Sequence, residues 1–205
     1  MEEIGLFPLG VVLLPGERLP LHIFEERYKE LIGECIESGQ EFGMVLADDQ
    51  GRRIVGTTAL VAEVLERFPD GRLNVLIEGH RRFAIREDTE GRSFDTAQVE
   101  VLLDEPESLP DEAAVATCLR AFRAVLEAAG AEVEDLDLAA DSLAFEIAGR
   151  IEFGPTSKQE LLEMRSERDR VTRLTELLEQ AVDQVQLQRR AAELASGNGH
   201  VPESE

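Results

Sequence analysis

The sequence predicts an α+β protein: a small β barrel with one inserted helix, followed by an all-helical part. Three observations carry this. Short apolar runs, separated by turns rich in Pro, Gly and Asp, fill the chain from Ile4 to Leu103. One stretch among them, Glu25 to Ile36, switches from alternation to a 3.6-residue apolar period. Beyond Asp104 to Pro110 (DEPESLP), a linker by composition, only helical spacing is found. Several short strands at close spacing favour a closed or half-open barrel.

The elements follow in order. Ile4 to Phe7 and Val11 to Leu14 read as one first strand interrupted by Pro8, and Leu19 to Phe24 as a second. Between them Pro15-Gly16 is turn chemistry, since Pro presets φ and Gly supplies φ > 0. Pro20 places the second strand at an edge or a bulge, because Pro cannot donate to a ladder. Tyr28, Leu31, Ile32, Cys35 and Ile36 form one helix face, with Glu25 and Glu26 at the positive end of the dipole and Gly39 as the stop. Phe42 to Ala47 is a short buried strand. Ile54 to Phe68 is a long one with a bulge or bend, for which Gly56 is a candidate. Pro69-Asp70-Gly71 turns the chain into Leu73 to Ile77. A further turn is expected at Gly79-His80, then a strand at Arg82 to Ile85, a turn around Glu90-Gly91, and a last strand from Phe94 to Leu103.

In the second part Asp111 caps a helix whose face is Ala114, Val115, Cys118, Leu119, Phe122, Val125 and Leu126, ending at Gly130. Glu132 to Asp137 reads as an acidic loop and Ser142 to Ile151 as a helix, broken by Gly154-Pro155. Ser157 and Glu160 have the spacing of a capping box. A long helix runs from about Glu167 to Ala195, with Val171, Leu174, Leu178, Ala181 and Val185 in 3,4 alternation. Its stripe packs on the preceding helices or serves a dimer, and the first is the stronger reading. The tail, Ser196 to Glu205, has the composition of a disordered segment. The expected division is barrel 1–105, helical part 106–195, tail 196–205.

Composition narrows the function classes. The 205 residues carry 43 acids against 21 bases, a net charge of −22, which repels nucleic acid and anionic lipid. No apolar run approaches the ~20 residues that span a membrane. Glu2 and Glu3 stand where a signal peptide would be basic, so a cytoplasmic protein is expected. Cys35 and Cys118 are far apart and lie on apolar helix stripes, which suits buried thiols. With dispersed His22, His80 and His200, zinc-ligand spacing is absent, and no cofactor is expected.

Catalytic patterns fare no better. The two lysines, Lys29 and Lys158, are followed by Glu30 and Gln159, so there is no P-loop. Lys158 adjoins Ser157, but neighbours at a helix start diverge. Neither His22 nor His80 lies near a GxSxG elbow. His22 shares the parity of Pro20 and Phe24 and is exposed at a strand edge or satisfied locally. Between Asp104 and Glu146 twelve acids face only Arg120 and Arg123, which reads as a solvated face without a calcium loop. Arg81-Arg82 is the basic doublet of the barrel. It contacts an acidic partner peptide or, more simply, pairs with carboxylates of its own barrel, Glu25 or Glu26 among them.

Taken together, several pieces resemble the Lon N-terminal (substrate-binding) domain family, in the stand-alone form lacking the ATPase and peptidase domains. They are Phe7-Pro8-Leu9, Val11-Val12, Leu14-Pro15-Gly16, and Leu19-Pro20-Leu21-His22-Ile23-Phe24-Glu25 leading to Arg27-Tyr28. Phe42 to Leu46, Val55-Gly56-Thr57, Val75 to Gly79, Arg81-Arg82-Phe83 and Ser157 to Glu163 follow in the family's order, over roughly residues 4 to 185. The resemblance implies a PUA-like pseudo-barrel packed on a helical bundle. It also implies recognition of polypeptides without catalysis, in the manner of an adaptor or chaperone-like factor.

Two readings are carried forward. The first is a binding module that captures an unfolded or extended polypeptide, or a partner protein. Its groove lies on the barrel or between barrel and helices, or it adds a strand at the Pro20 edge. The second is a small hydrolase using His22 or His80. An oligomeric scaffold held by the long helix is a third. For the first, Phe7, Leu9, Leu19, His22, Ile23, Phe24, Tyr28, Arg81 and Arg82 are the candidate residues, several of them as core. The protein is expected to be a monomer or weak homodimer, without nucleic-acid or membrane partners.

Overall fold

The computed structural model of the protein describes residues 1–106, 109–131, 136 and 142–197. Six strands and five helices follow in the order β1 (Glu2–Leu9), β2 (Arg18–Ile23), α1 (Glu26–Ser38), β3 (Phe42–Asp48), β4 (Gly51–Arg67), β5 (Leu73–Thr89), β6 (Thr96–Val101), α2 (Glu112–Ala129), α3 (Leu143–Ala148), α4 (Pro155–Glu163) and α5 (Glu167–Gly197). The strand order is β2-β5-β4-β3-β1-β6, and β6 also pairs with β5. That last pairing closes a circuit of five strands and leaves β2 outside it, bonded to β5 alone. Among the described strands only β1 and β3 run parallel.

β5 is the longest-reaching piece of the circuit, and here the expected turn at Gly79-His80 is corrected. β5 continues unbroken through both residues. Gly79 is needed because the loop before β2 lies against it. A Cβ there would collide with the Leu14 carbonyl oxygen. The Gly16 N–H donates to the Gly79 carbonyl at 2.8 Å, and the Gly79 N–H to the Glu17 carbonyl at 2.9 Å. Thus Pro15-Gly16-Glu17 is stitched to the middle of a strand. Val11 to Leu14, expected as strand, instead forms this buried irregular segment, with Val12, Leu13 and Leu14 shielded from solvent.

Other local expectations hold. β2 alternates, turning Leu21 and Ile23 inward and Arg18, Pro20 and His22 outward, and it lies at the sheet edge as Pro20 requires. Gly39 ends α1 in the left-handed region at φ 69°, with its N–H on the Cys35 carbonyl. Asp111 caps α2 through the Ala114 N–H at 2.7 Å. The capping box does not form: α4 begins earlier, with Gly154 at the cap and Pro155 in the first turn. Pro lacks the amide that a cap would satisfy, so the helix can start on it. α3 is shorter than expected and is capped by Ser142. The acidic-loop expectation at Glu132 to Asp137 falls almost wholly outside the described residues, as does most of the tail, while Ser196 and Gly197 are helical.

Three apolar cores fill the molecule. One lies between α1 and the barrel, built on Tyr28, Leu31, Ile32, Phe42, Met44, Val75 and Ile77. A smaller one inside the circuit joins Ile4, Leu6, Val45, Phe83, Ala97 and Val99. The third bridges barrel and helices. Val12, Leu14, Leu46 and Val55 meet Cys118, Phe122, Phe145, Ile147, Leu161, Leu162, Val171, Leu174 and Leu178. The stripe of α5 therefore packs within its own chain.

A buried charge cluster fastens the same junction. Arg170 of α5 is fully enclosed and bonds both oxygens of Asp104, the Met164 carbonyl (2.6 Å) and Glu167 (2.9 Å). Arg82 of β5 bonds Asp104, the Leu162 carbonyl (2.8 Å) and the Met164 carbonyl. Both guanidinium groups lie over the Phe145 ring, at 4.4 and 5.5 Å. Glu167 accepts from the Ser142 hydroxyl (2.7 Å) and the Ala144 amide (3.0 Å). Two cations and two carboxylates thus balance. Burial raises the Asp104 carboxyl, but the hydrogen bond and charge of Arg170, with Arg82, outweigh it and hold the group below the usual aspartate range. A second buried pair, Lys158 Nζ to Glu17 at 2.6 Å, ties α4 to the stitched turn.

Asp104→Asn should cost about 2–3 kcal/mol in urea unfolding, below the full value for a broken buried pair because Asp104 is partly exposed. The folded pKa is depressed, so the stabilisation is complete above the ordinary aspartate value of about 3.9. It is lost as pH falls through the lower folded value. The gap between wild type and variant should therefore be constant near neutrality and narrow below about pH 4.

Candidate functional site

The outer face of β2 is set by its alternation. Arg18 pairs across the ladder with Glu78 at 2.7 Å, and the His22 Nδ1–H donates to Asn74 Oδ1 at 2.7 Å. The Asn74 amide in turn donates to Glu66 at 3.0 Å. His22 stacks on Phe24 with centroids 5.9 Å apart and meets Phe68 edge-on at 6.0 Å. Phe24 is 60% exposed, which is unusual for a phenylalanine. Arg72 covers the Phe68 ring at 5.0 Å. The result is an aromatic ridge along the one strand that has no strand on its far side among the described residues.

A second surface lies where barrel meets helices. An open groove of about 380 Å³ is bordered by His80, Arg81, Val101, Leu103, Phe145 and the Pro15-Gly16 turn. Val101 and Leu103 are exposed on its rim. The His80 Nδ1–H donates to Glu41 at 3.0 Å, and Arg81 holds the other Glu41 oxygen at 2.9 Å. Burial raises the Glu41 carboxyl, yet its hydrogen bonds to Thr58, Arg81 and His80 leave it lowered overall. Ser142, the hydroxyl at this groove, already donates to Glu167 and caps α3.

The candidate residues separate into two groups. Phe24, His22 and Arg81 are exposed. Phe7, Ile23 and Tyr28 are core, with Phe7 and Tyr28 stacked at 4.2 Å, and Leu9 and Leu19 are half-buried against the same core. Arg82 is enclosed, so the hand expected to reach a partner is used up on Asp104 and the α4–α5 connection. Glu25 and Glu26 pair with Arg27 and Lys29, while Glu41 and Asp104 take the Arg doublet. Phe68, Val101 and Leu103 were not singled out in the sequence. Phe68 ends a strand beside a turn, and only the register with β5 sets it next to His22. Cys35 and Cys118 are buried and free, and burial, then Glu34, pushes the Cys35 thiol up to about 11. Among the described residues, no group of three or more His, Cys, Asp and Glu could hold a metal ion. No described helix is long and apolar enough to cross a membrane.

A closed five-strand circuit with an added edge strand, locked to a helical layer and offering open surfaces, defines a fold with a known family. The chain belongs to the ATP-dependent protease La (LON) substrate-binding domain family, whose profile matches residues 3–180. It is 29% identical over 209 residues to the Lon protease of Paraburkholderia phytofirmans, covering 94% of this chain and 26% of that protease. The Lon protease of Cytophaga hutchinsonii is 24% identical over 196 residues, covering 88% of this chain and 24% of its own length. The chain thus spans about a quarter of the length of these relatives. In fold it is similar to a Lon N-terminal domain protein from Xanthomonas campestris (TM-score 0.66, 22% identity, 85% of this chain and 97% of that one). It is likewise similar to the N-terminal domain of Mycobacterium avium complex Lon protease (TM-score 0.65, 16% identity, 86% and 98%).

The ridge and the core should separate cleanly under mutation. Phe24→Ala should leave stability within about 0.5 kcal/mol, as for an exposed side chain, whereas Tyr28→Ala should cost about 3 kcal/mol by loss of a buried aromatic. Chemical denaturation of both variants checks this.

Proposed function

We propose that the chain is a non-catalytic polypeptide-recognition module, acting as an adaptor or chaperone-like factor in protein quality control. The observation that supports it best is the His22–Phe24–Phe68 ridge beside the outer edge of β2, in which His22 and Phe24 are exposed and Phe68 is half-buried. An extended chain gains main-chain hydrogen bonds by adding to a strand edge, and aromatic side chains along that edge hold its alternate residues. Pro20 removes one donor from this edge, which favours short clients over edge-to-edge pairing of the protein with itself. The family's substrate-binding role agrees with this reading.

The hydrolase reading has less support. His80 does sit on a carboxylate, but Glu41 is shared with Arg81 at an open surface, and Ser142 is committed as a cap. The helical scaffold reading loses its contact face, because Val171, Leu174 and Leu178 are buried within the chain.

Fluorescence anisotropy with a reduced, alkylated and labelled protein as permanently unfolded client tests the proposal. Phe24→Ala should weaken binding about five- to thirtyfold, the range of an interface aromatic worth 1–2 kcal/mol. Unchanged affinity in a folded variant would move the site away from β2.

A further inference from the structure

The β3–β4 ladder breaks at one place. Val45 pairs with Gly56 and Ala47 with Arg52, so Leu46 alone faces Arg53, Ile54 and Val55. Such bulges re-aim side chains and backbone out of the ladder. Here the freed Val55 carbonyl accepts from Gln159 Nε2 of α4 at 3.2 Å, and the same amide nitrogen donates to Glu163 at 2.7 Å. A cavity of about 520 Å³, open to solvent, lies between bulge and helix, lined by Leu46, Arg53, Gln159, Glu160, Glu163 and Met164, with Thr156 at its border.

Two polar atoms of this lining are buried without a partner: Arg53 Nε, a donor, and Gln159 Oε1, an acceptor. Gln159 is 95% buried by its residual 5% exposure. Its orientation is fixed, because turning the amide over would set its oxygen against the Val55 carbonyl and the Glu163 carboxylate. Of the other side-chain nitrogens of Arg53, Nη2 reaches Gln50 at 3.2 Å and Asp48 at 3.5 Å. Glu160 is held by Arg173 at 2.9 and 3.0 Å. A buried polar atom left unpaired is costly relative to a paired one, so a ligand that supplies both partners recovers that cost.

The pair of orphans selects the ligand. A carboxylate would satisfy Arg53 but leave Gln159 Oε1 unpaired and meet Glu160 and Glu163. A cation would do the reverse. Waters entering the open cavity also offer a donor and an acceptor, and a site that holds water alone gives no peptide-dependent shift of the Arg53 resonance. A neutral group with a donor and an acceptor side by side answers both, and a residue of an extended chain presents its own N–H and carbonyl on the same side.

We propose that this cavity binds the main chain of an extended polypeptide, with Gln159 Oε1 accepting one residue's N–H and Arg53 Nε donating to a carbonyl. Leu46 and Met164 supply the apolar contact. The site is a second hold on the client beside the β2 ridge, and it rests on the polypeptide-recognition reading.

The probe is an end-capped, uncharged hexapeptide of alternating Ser and Leu, titrated by calorimetry into the full chain. Arg53→Lys, which keeps the charge and removes Nε, should weaken binding about tenfold, as for one charge-assisted hydrogen bond. N-methylation of a single peptide amide should cost a similar factor in wild type and nothing further in Gln159→Met. The Arg53 Nε–H resonance, identified by its absence in Arg53→Lys, should shift on peptide addition, a readout that holds even where Gln159→Met does not fold. If Phe24→Ala weakens the peptide while Arg53→Lys does not and the resonance stays still, this site is refuted and polypeptide recognition stands. If wild type binds neither peptide nor unfolded client, both fall.

Discussion

The junction of barrel and helices depends on one neutral cluster of four charges, three of them buried and the fourth, Asp104, partly exposed. Arg82 comes from the barrel, Asp104 from the chain just after β6, and Glu167 and Arg170 from the first turn of α5. Removing charges from water is costly, and attraction offsets the cost only when the geometry is full. Here it is full: carbonyls of Leu162 and Met164 and the amide of Ala144 take up the remaining valences, and Phe145 lies under both guanidinium planes. Two arginines near one aspartate respond differently. Burial, not offset by the shared Asp104, lowers Arg82, while Arg170 ends raised because its burial is outweighed by both carboxylates. The cluster fixes orientation as well as proximity, since a bidentate contact tolerates little rotation. The surrounding apolar core supplies adhesion without such direction.

The strand and helix content was legible because burial follows periodicity. The Tyr28–Cys35 face, the Asp111 cap and the Pro69-Asp70-Gly71 hairpin all have local causes. Structure departs from the local signal where a distant partner overrides it. Gly79 resembles a turn residue, yet it is a glycine because the Leu14 backbone rests on it. Val11 to Leu14 resembles a strand, yet Val12 and Leu14 fill the barrel–helix junction and Leu13 the core under α1. Ser157 and Glu160 have capping spacing, but Pro155 already occupies the first turn.

The candidate surface was half visible for a related reason. Alternation told Phe24 and His22 from Ile23, but density of apolar residues alone does not separate a binding face from a core. Phe7 and Tyr28 looked as promising as Phe24 and are interior. Arg82 stands out as part of a doublet, while Arg170, its counterpart, sits unmarked in an arginine-rich helix. Pairings over 66 residues, such as Arg170 with Asp104, leave no trace in composition or spacing.

The way β2 is attached has a mechanical side. Its six residues pair in continuous register with the first half of β5, and the same strand, further on, carries Arg82 into the helical layer. Hydrogen bonds of an antiparallel ladder lie across the strands. Tension applied along β2 therefore loads all of them together in shear, and none can open before its neighbours. A pull outward from the sheet would instead unzip them one at a time. The direction of an applied force thus decides whether this edge holds or gives way.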